Sequence, residues 1–225
     1  EEVLAARRAA MHVTRKDYVL VEQFITAHEI GVDGLVSGGR IQLLLPHDKF
    51  TYTTGSTTLP EGHHFPYPCS NSLLKRIQKE VTKAIAALGL DNCAFNSDVL
   101  VTGNDAYILE MGGRAGATCI PELISLHTGM DYYGALIRMA LGESITLSPS
   151  QLSARSCMAK LLFSKKEGIL TDIDTAGLKA LTADGTQISL DYSAGATVPA
   201  VQNGTSRIGQ VIAITDSIDQ MNILM

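Results

Sequence analysis

Apolar and polar positions along this chain follow two rhythms, one near four residues and one of two, and the rhythm changes from segment to segment. Glu1–Met11, rich in Ala, Leu and charge, has the composition of a helix. Asp17–Phe24 gathers Tyr18, Val19, Leu20, Val21 and Phe24, all β-forming types, and predicts a strand. Glu29–Ser37 predicts a second strand, Gly38-Gly39 a tight turn, and Arg40–Leu45 the return strand of a hairpin. The polar stretch His47–Cys69, with Gly55, Pro60, Gly62, Pro66 and Pro68, predicts a long loop carrying short extended pieces. Asn71–Leu88 carries the strongest helical rhythm. Leu74, Ile77, Val81, Ala84, Ile85 and Leu88 recur on one face, charged residues from Lys75 to Lys83 on the other, and Gly89 supplies a C-cap. Its apolar stripe reads as a core face.

Two strands follow, Cys93–Val101 and Ala106–Met111, joined by Gly103-Asn104-Asp105. Gly112–Thr118 is a loop of small residues interrupted by Arg114. Pro121–Thr128 reads as a short helix, and Asp131 caps another that runs to Leu141. From about Ser148 the helical rhythm fades. Strands are expected at Met158–Phe163, Gly177–Leu181, Gln187–Leu190 and Gly209–Ile214. These patterns predict an α+β protein, with residues 1–150 forming one subdomain and residues 151–225 a small β-rich domain. The chain opens inside a helical pattern without an initiator Met, so a piece of a longer protein is expected.

Composition narrows the function. The chain has 225 residues, enough to bury a substantial core, and 45% hydrophobic against 18% charged residues is ordinary for a soluble globular protein. A net charge of −5 and the lack of a basic patch argue against a nucleic-acid partner. No apolar run is long enough to span a membrane, and no signal peptide is visible. Cys69, Cys93, Cys119 and Cys157 form no Cys-x-x-Cys pair and read as buried, reduced thiols of a cytoplasmic protein.

The candidate chemistry centres on the turn at Gly103. A hairpin there can set Asp98 beside Glu110 on one face. Two carboxylates that close repel unless a cation lies between them, and hard oxygen ligands beside phosphates suit Mg²⁺. Arg114, four residues past Glu110 in a Gly-rich loop, can stabilise phosphate charge beside the metal. That loop has neither P-loop nor dinucleotide-fingerprint spacing.

Asn96-Ser97-Asp98, then Glu110-Met111-Gly112-Gly113-Arg114, resembles the metal-binding segment of the ATP-grasp ligases. The resemblance implies that Asp98 and Glu110 hold two Mg²⁺ ions, with Mn²⁺ an allowed substitute, and that Arg114 contacts the γ-phosphate and an acyl-phosphate intermediate. Many members carry Asn where Gly112 stands, and Asn96 is the candidate to compensate. Val21-Glu22-Gln23-Phe24-Ile25, with Glu29 following, resembles the adenine hinge of the same family. It implies that the Glu22–Ile25 backbone meets adenine and Glu29 binds the ribose hydroxyls. Glu61-Gly62-His63-His64 resembles a Glu-x-x-His pair near the reacting substrates in the amino-acid ligase branch, which makes Glu61 and His64 candidates for substrate contact. The region from Gly168 to Ile212 resembles the small β domain after the catalytic core, with Arg207 a structural charge.

The resemblance implies the C-terminal portion of an ATP-grasp enzyme, without the family's N-terminal domain and lid. Its expected reaction is an ATP- and Mg²⁺-dependent joining of a carboxylate to an amine, with amino acids as substrates. Activation of bicarbonate, as in carbamoyl-phosphate synthase or biotin carboxylase, and a non-catalytic nucleotide-binding module are the alternatives. A homodimer is compatible with the family, although the sequence carries no interface signature.

Overall fold

In the computed structural model, residues 2–54, 57–148, 152–182 and 185–215 are described. Helix α1 (Glu2–Val13) leads into a segment without regular structure. Strands β1 (His28–Ser37), β2 (Arg40–Thr54) and β3 (Thr57–Phe65) precede helix α2 (Asn71–Leu88). Then come β4 (Cys93–Thr102), β5 (Asp105–Gly112), α3 (Ile120–Thr128) and α4 (Tyr132–Ala140). The C-terminal part holds β6 (Cys157–Phe163), β7 (Gly168–Ile169), α5 (Thr175–Leu181), β8 (Gln187–Leu190), β9 (Thr197–Val198) and β10 (Arg207–Ile214). Eight strands form one sheet in the order β5-β4-β1-β2-β3-β6-β10-β8, antiparallel at every pairing, while β7 and β9 pair separately. The fold is α+β, as expected.

Period-two alternation on β1 divides the interior. Ile30, Val32 and Val36 face α2 and pack with Leu73, Ile77, Val81 and Ile85 of that helix and with Phe95 and Val99 of β4. Leu35, Leu43 and Ala94 face the other way, into a second core built with Ile120, Leu123, Ile124, Tyr132 and Met139 of α3 and α4. Side chains of one strand alternate between faces, so one run of residues serves both cores. Ser70 caps α2 by accepting from the Leu73 amide at 3.2 Å, and Gly89 ends it at φ 64°. The stripe is rotated slightly from the expected one: Leu73 is buried, whereas Leu88 is 56% exposed.

Three expectations need correction. Residues 17–24 form no strand. Both neighbours of β1 are taken by β2 and β4, and among the described residues no other strand pairs with this segment. His47–Cys69 is mostly ladder rather than loop: β2 continues to Thr54 and β3 returns through Phe65. The stretch reads as polar because one of its faces carries a site instead of core. Gly177–Leu181 belongs to a helix, since Asp174 caps it through the Gly177 amide at 2.9 Å. The chain change expected near residues 148–156 leads into β6, which pairs with β3, so the sheet runs on unbroken past it. Among the described residues no helix is long and apolar enough to cross a membrane.

Ile77 is fully buried at the centre of the α2 core. Ile77→Ala is expected to cost about 2–5 kcal/mol, whereas Leu88→Ala, at an exposed position, should stay within about 0.5 kcal/mol. Urea unfolding midpoints of the two variants check the contrast.

Candidate active site

Strand register aligns polar side chains in rows across the face opposite α2. Glu110 of β5 pairs with Asp98 of β4, Asp98 with Gly31 of β1, and Gly31 with His47 of β2. The flanking row carries Asn96 opposite Asp33. On the other side Lys49 of β2 stands opposite His63 of β3. His47, Lys49, His63, Asn96, Asp98, Glu110 and Arg114 line one cavity of about 150 Å³, closed by Ala117, Thr118 and Ile120 at the start of α3. The chain reaches α3 through Thr118 and Cys119, both left-handed at φ 56° and 65°. Non-glycine residues rarely adopt that conformation, which turns the first helical residue toward the cavity.

One cation in the site, Lys49, pairs with two carboxylates. The Lys49 ammonium, largely buried, lies 2.9 Å from Asp98 Oδ2 and also pairs with Glu29. Burial lowers its pKa, but the bonds to Glu29 and Asp98 and their charges outweigh this, and the net direction is upward. Lys49 thus ties the candidate ribose carboxylate to a candidate metal carboxylate. Ser97, on the opposite face of β4, donates to the Glu110 carbonyl at 2.7 Å and fixes the end of β5. Arg114 donates from Nη1 to Asn96 Oδ1 at 3.2 Å and to the Ala115 carbonyl at 2.9 Å. The Asn96 carboxamide is therefore already engaged by Arg114.

No family model matches the chain. A protein of Sinorhizobium fredii known as y4rH is 29% identical over 206 residues, covering 88% of this chain and 40% of that protein. A D-alanine–D-alanine ligase of Trichlorobacter lovleyi is 26% identical over 133 residues, covering 56% of this chain and 42% of the ligase. Among solved structures, phosphoribosylglycinamide synthetase from Anaerococcus prevotii superposes with a TM-score of 0.81 at 31% identity, over 99% of this chain and 56% of that one. L-amino acid ligase from Bacillus licheniformis gives 0.75 at 18%, over 90% of this chain and 50% of that one. A 2-oxoglutarate carboxylase biotin carboxylase domain of Hydrogenobacter thermophilus, solved with MgADP and bicarbonate, gives 0.75 at 16%, over 99% and 50%.

The fold is that of the ATP-grasp ligases. The chain spans under half the length of these two curated relatives and about half that of the solved structures.

Within this ATP-grasp fold the residues singled out in the sequence separate into two groups. Asp98, Glu110 and Arg114 meet in the cavity, and Glu29 joins them through Lys49. Glu22, Gln23, Phe24 and Ile25 lie on the extended segment before β1, where Phe24 is 90% exposed. Glu61 and His64 do not line the cavity. Glu61 falls at the register shift between β2 and β3, an extra residue of the kind that forms a bulge, and pairs with Lys160 at 3.4 Å. His64 alternates away from His63, and its Nε2 lies 3.0 Å from Ser156 Oγ. Arg207 pairs with Asp191 at 2.8 Å and donates to Gln210, a structural arrangement as expected.

Sequence reasoning missed Lys49, Asp33, His47 and His63. One signal was present: Asp33 is an acid inside the otherwise apolar run from Ile30 to Val36. The others were obscured because β2 beyond Leu45 and all of β3 read as loop. His63 is buried, its Nδ1 has no partner among the described residues, and burial, then the neighbouring His47 and Lys49 charges, hold its pKa well below the usual imidazole range. The folded protein therefore keeps His63 neutral. Stability from this group is fully present above its unfolded pKa of about 6.5 and drains away as pH falls from there toward the lower folded value. The urea midpoint is expected to drop between pH 7.5 and 5.5, and to drop less in His63→Gln, where that position no longer titrates.

Proposed function

We propose that this chain carries the metal- and phosphate-handling part of an ATP- and Mg²⁺-dependent carboxylate–amine ligase that uses amino acids. The observation that carries this reading is the direct cross-strand pairing of Asp98 with Glu110 in a cavity shared with Lys49 and Arg114. Among the described residues no group of three or more His, Cys, Asp or Glu side chains is placed to hold an ion without help. That suits Mg²⁺, which is usually bound by one or two carboxylates together with substrate phosphates and water. Asp98 and Glu110 would hold the metal, two ions by the family's pattern, and the metal would neutralise charge on the ATP phosphates.

The remaining work falls to residues of the chain. Glu29, held at the rim by Lys49, accepts hydrogen bonds from the ribose hydroxyls, and the Glu22–Ile25 backbone meets adenine. Arg114 places its guanidinium on the γ-phosphate as charge moves onto its oxygens. A substrate carboxylate oxygen attacks the γ-phosphorus, the bond to ADP breaks, and an acyl phosphate results. The amine then attacks the acyl carbon, phosphate leaves, and the amine gives up a proton. The likeness that first pointed to Glu61 and His64 is best fulfilled by His63, the imidazole on the cavity face. Its ring lines the cavity, where it can contact and orient the incoming amine. The cavity's small size matches the amino-acid-sized substrates of such ligases, and positioning with electrostatics supplies most of the acceleration.

ADP release by the intact protein, with Mg²⁺ and pooled amino acids, tests this reading. Release that needs two amino acids, stops with EDTA, returns with Mg²⁺ or Mn²⁺, and falls at least about 100-fold in Glu110→Ala is the expected result. Release with bicarbonate alone would move the protein to carboxyphosphate chemistry. ADP binding without release under any of these conditions would reduce it to a nucleotide-binding module.

A further inference from the structure

Asp33 is completely buried at the centre of β1 and does not line the cavity, yet three separate parts of the site converge on it. His47 Nε2 of β2 lies 2.8 Å from Oδ2. Asn96 Nδ2 of β4 donates to Oδ2 at 3.0 Å. The Gly116 amide, in the loop after β5, donates to Oδ1 at 3.1 Å. A buried carboxyl group is tolerable only when polar partners surround it; here two N–H donors, from Asn96 and Gly116, and the His47 ring do so.

The bond to Asn96 has a directional consequence. A carboxamide presents an acceptor on one side and a donor on the other, and nothing in its shape decides which way it turns. Toward Asn96 and Gly116, both N–H donors, Asp33 accepts. It therefore draws the Asn96 amino group inward, which turns Asn96 Oδ1 outward, where Arg114 donates to it. The reversed carboxamide would set an amino group against the guanidinium, donor against donor. Gly116 adds a second hold on the same loop, two residues past Arg114. Space has been left for this unit on both sides. A Cβ at Gly116 would come within 2.7 Å of Asp33 Oδ1, and one at Gly31 within 2.0 Å of the His47 ring. The His47 ring is in turn stacked on Phe65 at a centroid distance of 4.6 Å.

We propose that Asp33 is a positioning residue for Arg114: by fixing the sense of the Asn96 carboxamide and pinning the Gly116 amide, it holds the guanidinium where the transferring phosphoryl group passes. Asp33 touches no substrate. It acts through Asn96 and through the loop backbone. Asp33→Asn is the sharpest perturbation, because an amide at position 33 offers a donor as well as an acceptor and releases Asn96 to turn either way. Asn96→Ala breaks the same relay while keeping Asp33 in place, with one donor fewer.

The destination of the guanidinium rests on the ligase reading, so two measurements on the intact protein separate the claims. The first is calorimetric affinity for ADP with Mg²⁺, with and without aluminium fluoride as the phosphoryl mimic. The wild type should gain affinity from the fluoride. Asp33→Asn and Asn96→Ala should each lose at least about tenfold of that gain, with ADP affinity itself within about twofold in Asp33→Asn. Neither change should add to the loss in an Arg114→Lys background, as expected for residues acting in one relay. The second is hydrogen exchange of the peptide covering residues 112–119, which should quicken in Asp33→Asn. Asn96→Ala retaining the full gain would overturn the proposal, as would a parallel loss of ADP affinity and gain in Asp33→Asn. If the wild type gains nothing from the fluoride, the ligase reading fails, and exchange over 112–119 then decides alone: unchanged exchange in Asp33→Asn overturns the positioning role.

Discussion

The alternation of β1 is the constraint on which the rest of this structure depends. As an interior strand, β1 is paired on both edges and covered on both faces, so each residue has one place to go. Ile30, Val32 and Val36 commit one face to α2. That leaves Glu29, Gly31, Asp33 and Leu35 for the other face, where polar groups and small residues give way to core toward the end of the strand. A slip of one residue would drive Asp33 into the apolar core beneath α2 and turn Ile30 and Val32 toward the cavity. Burial of the α2 face thus fixes the register, and the register fixes which side chains meet in the cavity.

Lys49 brings two of the site's carboxylates together. Glu29, Asp98 and Glu110 would repel one another at close range, the more so where water is partly excluded. Lys49 lies between Glu29 and Asp98 and satisfies both. Arg114 is held a short distance off by Asn96. The strands keep each of these groups in its position before any ligand arrives, so little reorganisation is left for binding. The strands after α4 continue the same sheet through β6, so the C-terminal part extends the platform on which β3 presents His63.

Much of this was legible in the sequence where local rules suffice. The 3.6-residue stripe gave α2, and Gly89 its C-terminal end, while the Ser70 cap at its start appears in the structure. The turn at Gly103-Asn104 sets the ladder from Thr102–Asp105 to Val99–Ile108, and a register shift just beyond it brings Glu110, rather than Leu109, opposite Asp98. Asp131 marked the start of α4 for the same reason that local caps are readable: the bond it makes, to the Gly134 amide at 2.8 Å, spans three residues.

What could not be read depends on partners distant in sequence. Tyr18 to Phe24 have strand-forming side chains, yet a strand exists only with a ladder beside it, and β2 and β4 already hold both edges of β1. Residues 47–54 and 57–65 looked like loop because polar residues are frequent in them, and only the pairings with β1, with each other and with β6 make them strands. The choice between His63 and His64 turned on which face each occupies, a matter of register with Lys49 that no local pattern contains. Asp33 announced itself as an acid in an apolar run, but its partners come from positions 47, 96 and 116. The sequence by itself determined α1 to α4 and the hairpin turn at Gly103, since those are governed by neighbours along the chain. The tertiary structure decided the assembled cavity, because hydrogen bonds and burial between remote segments have no signature until the sheet brings them together.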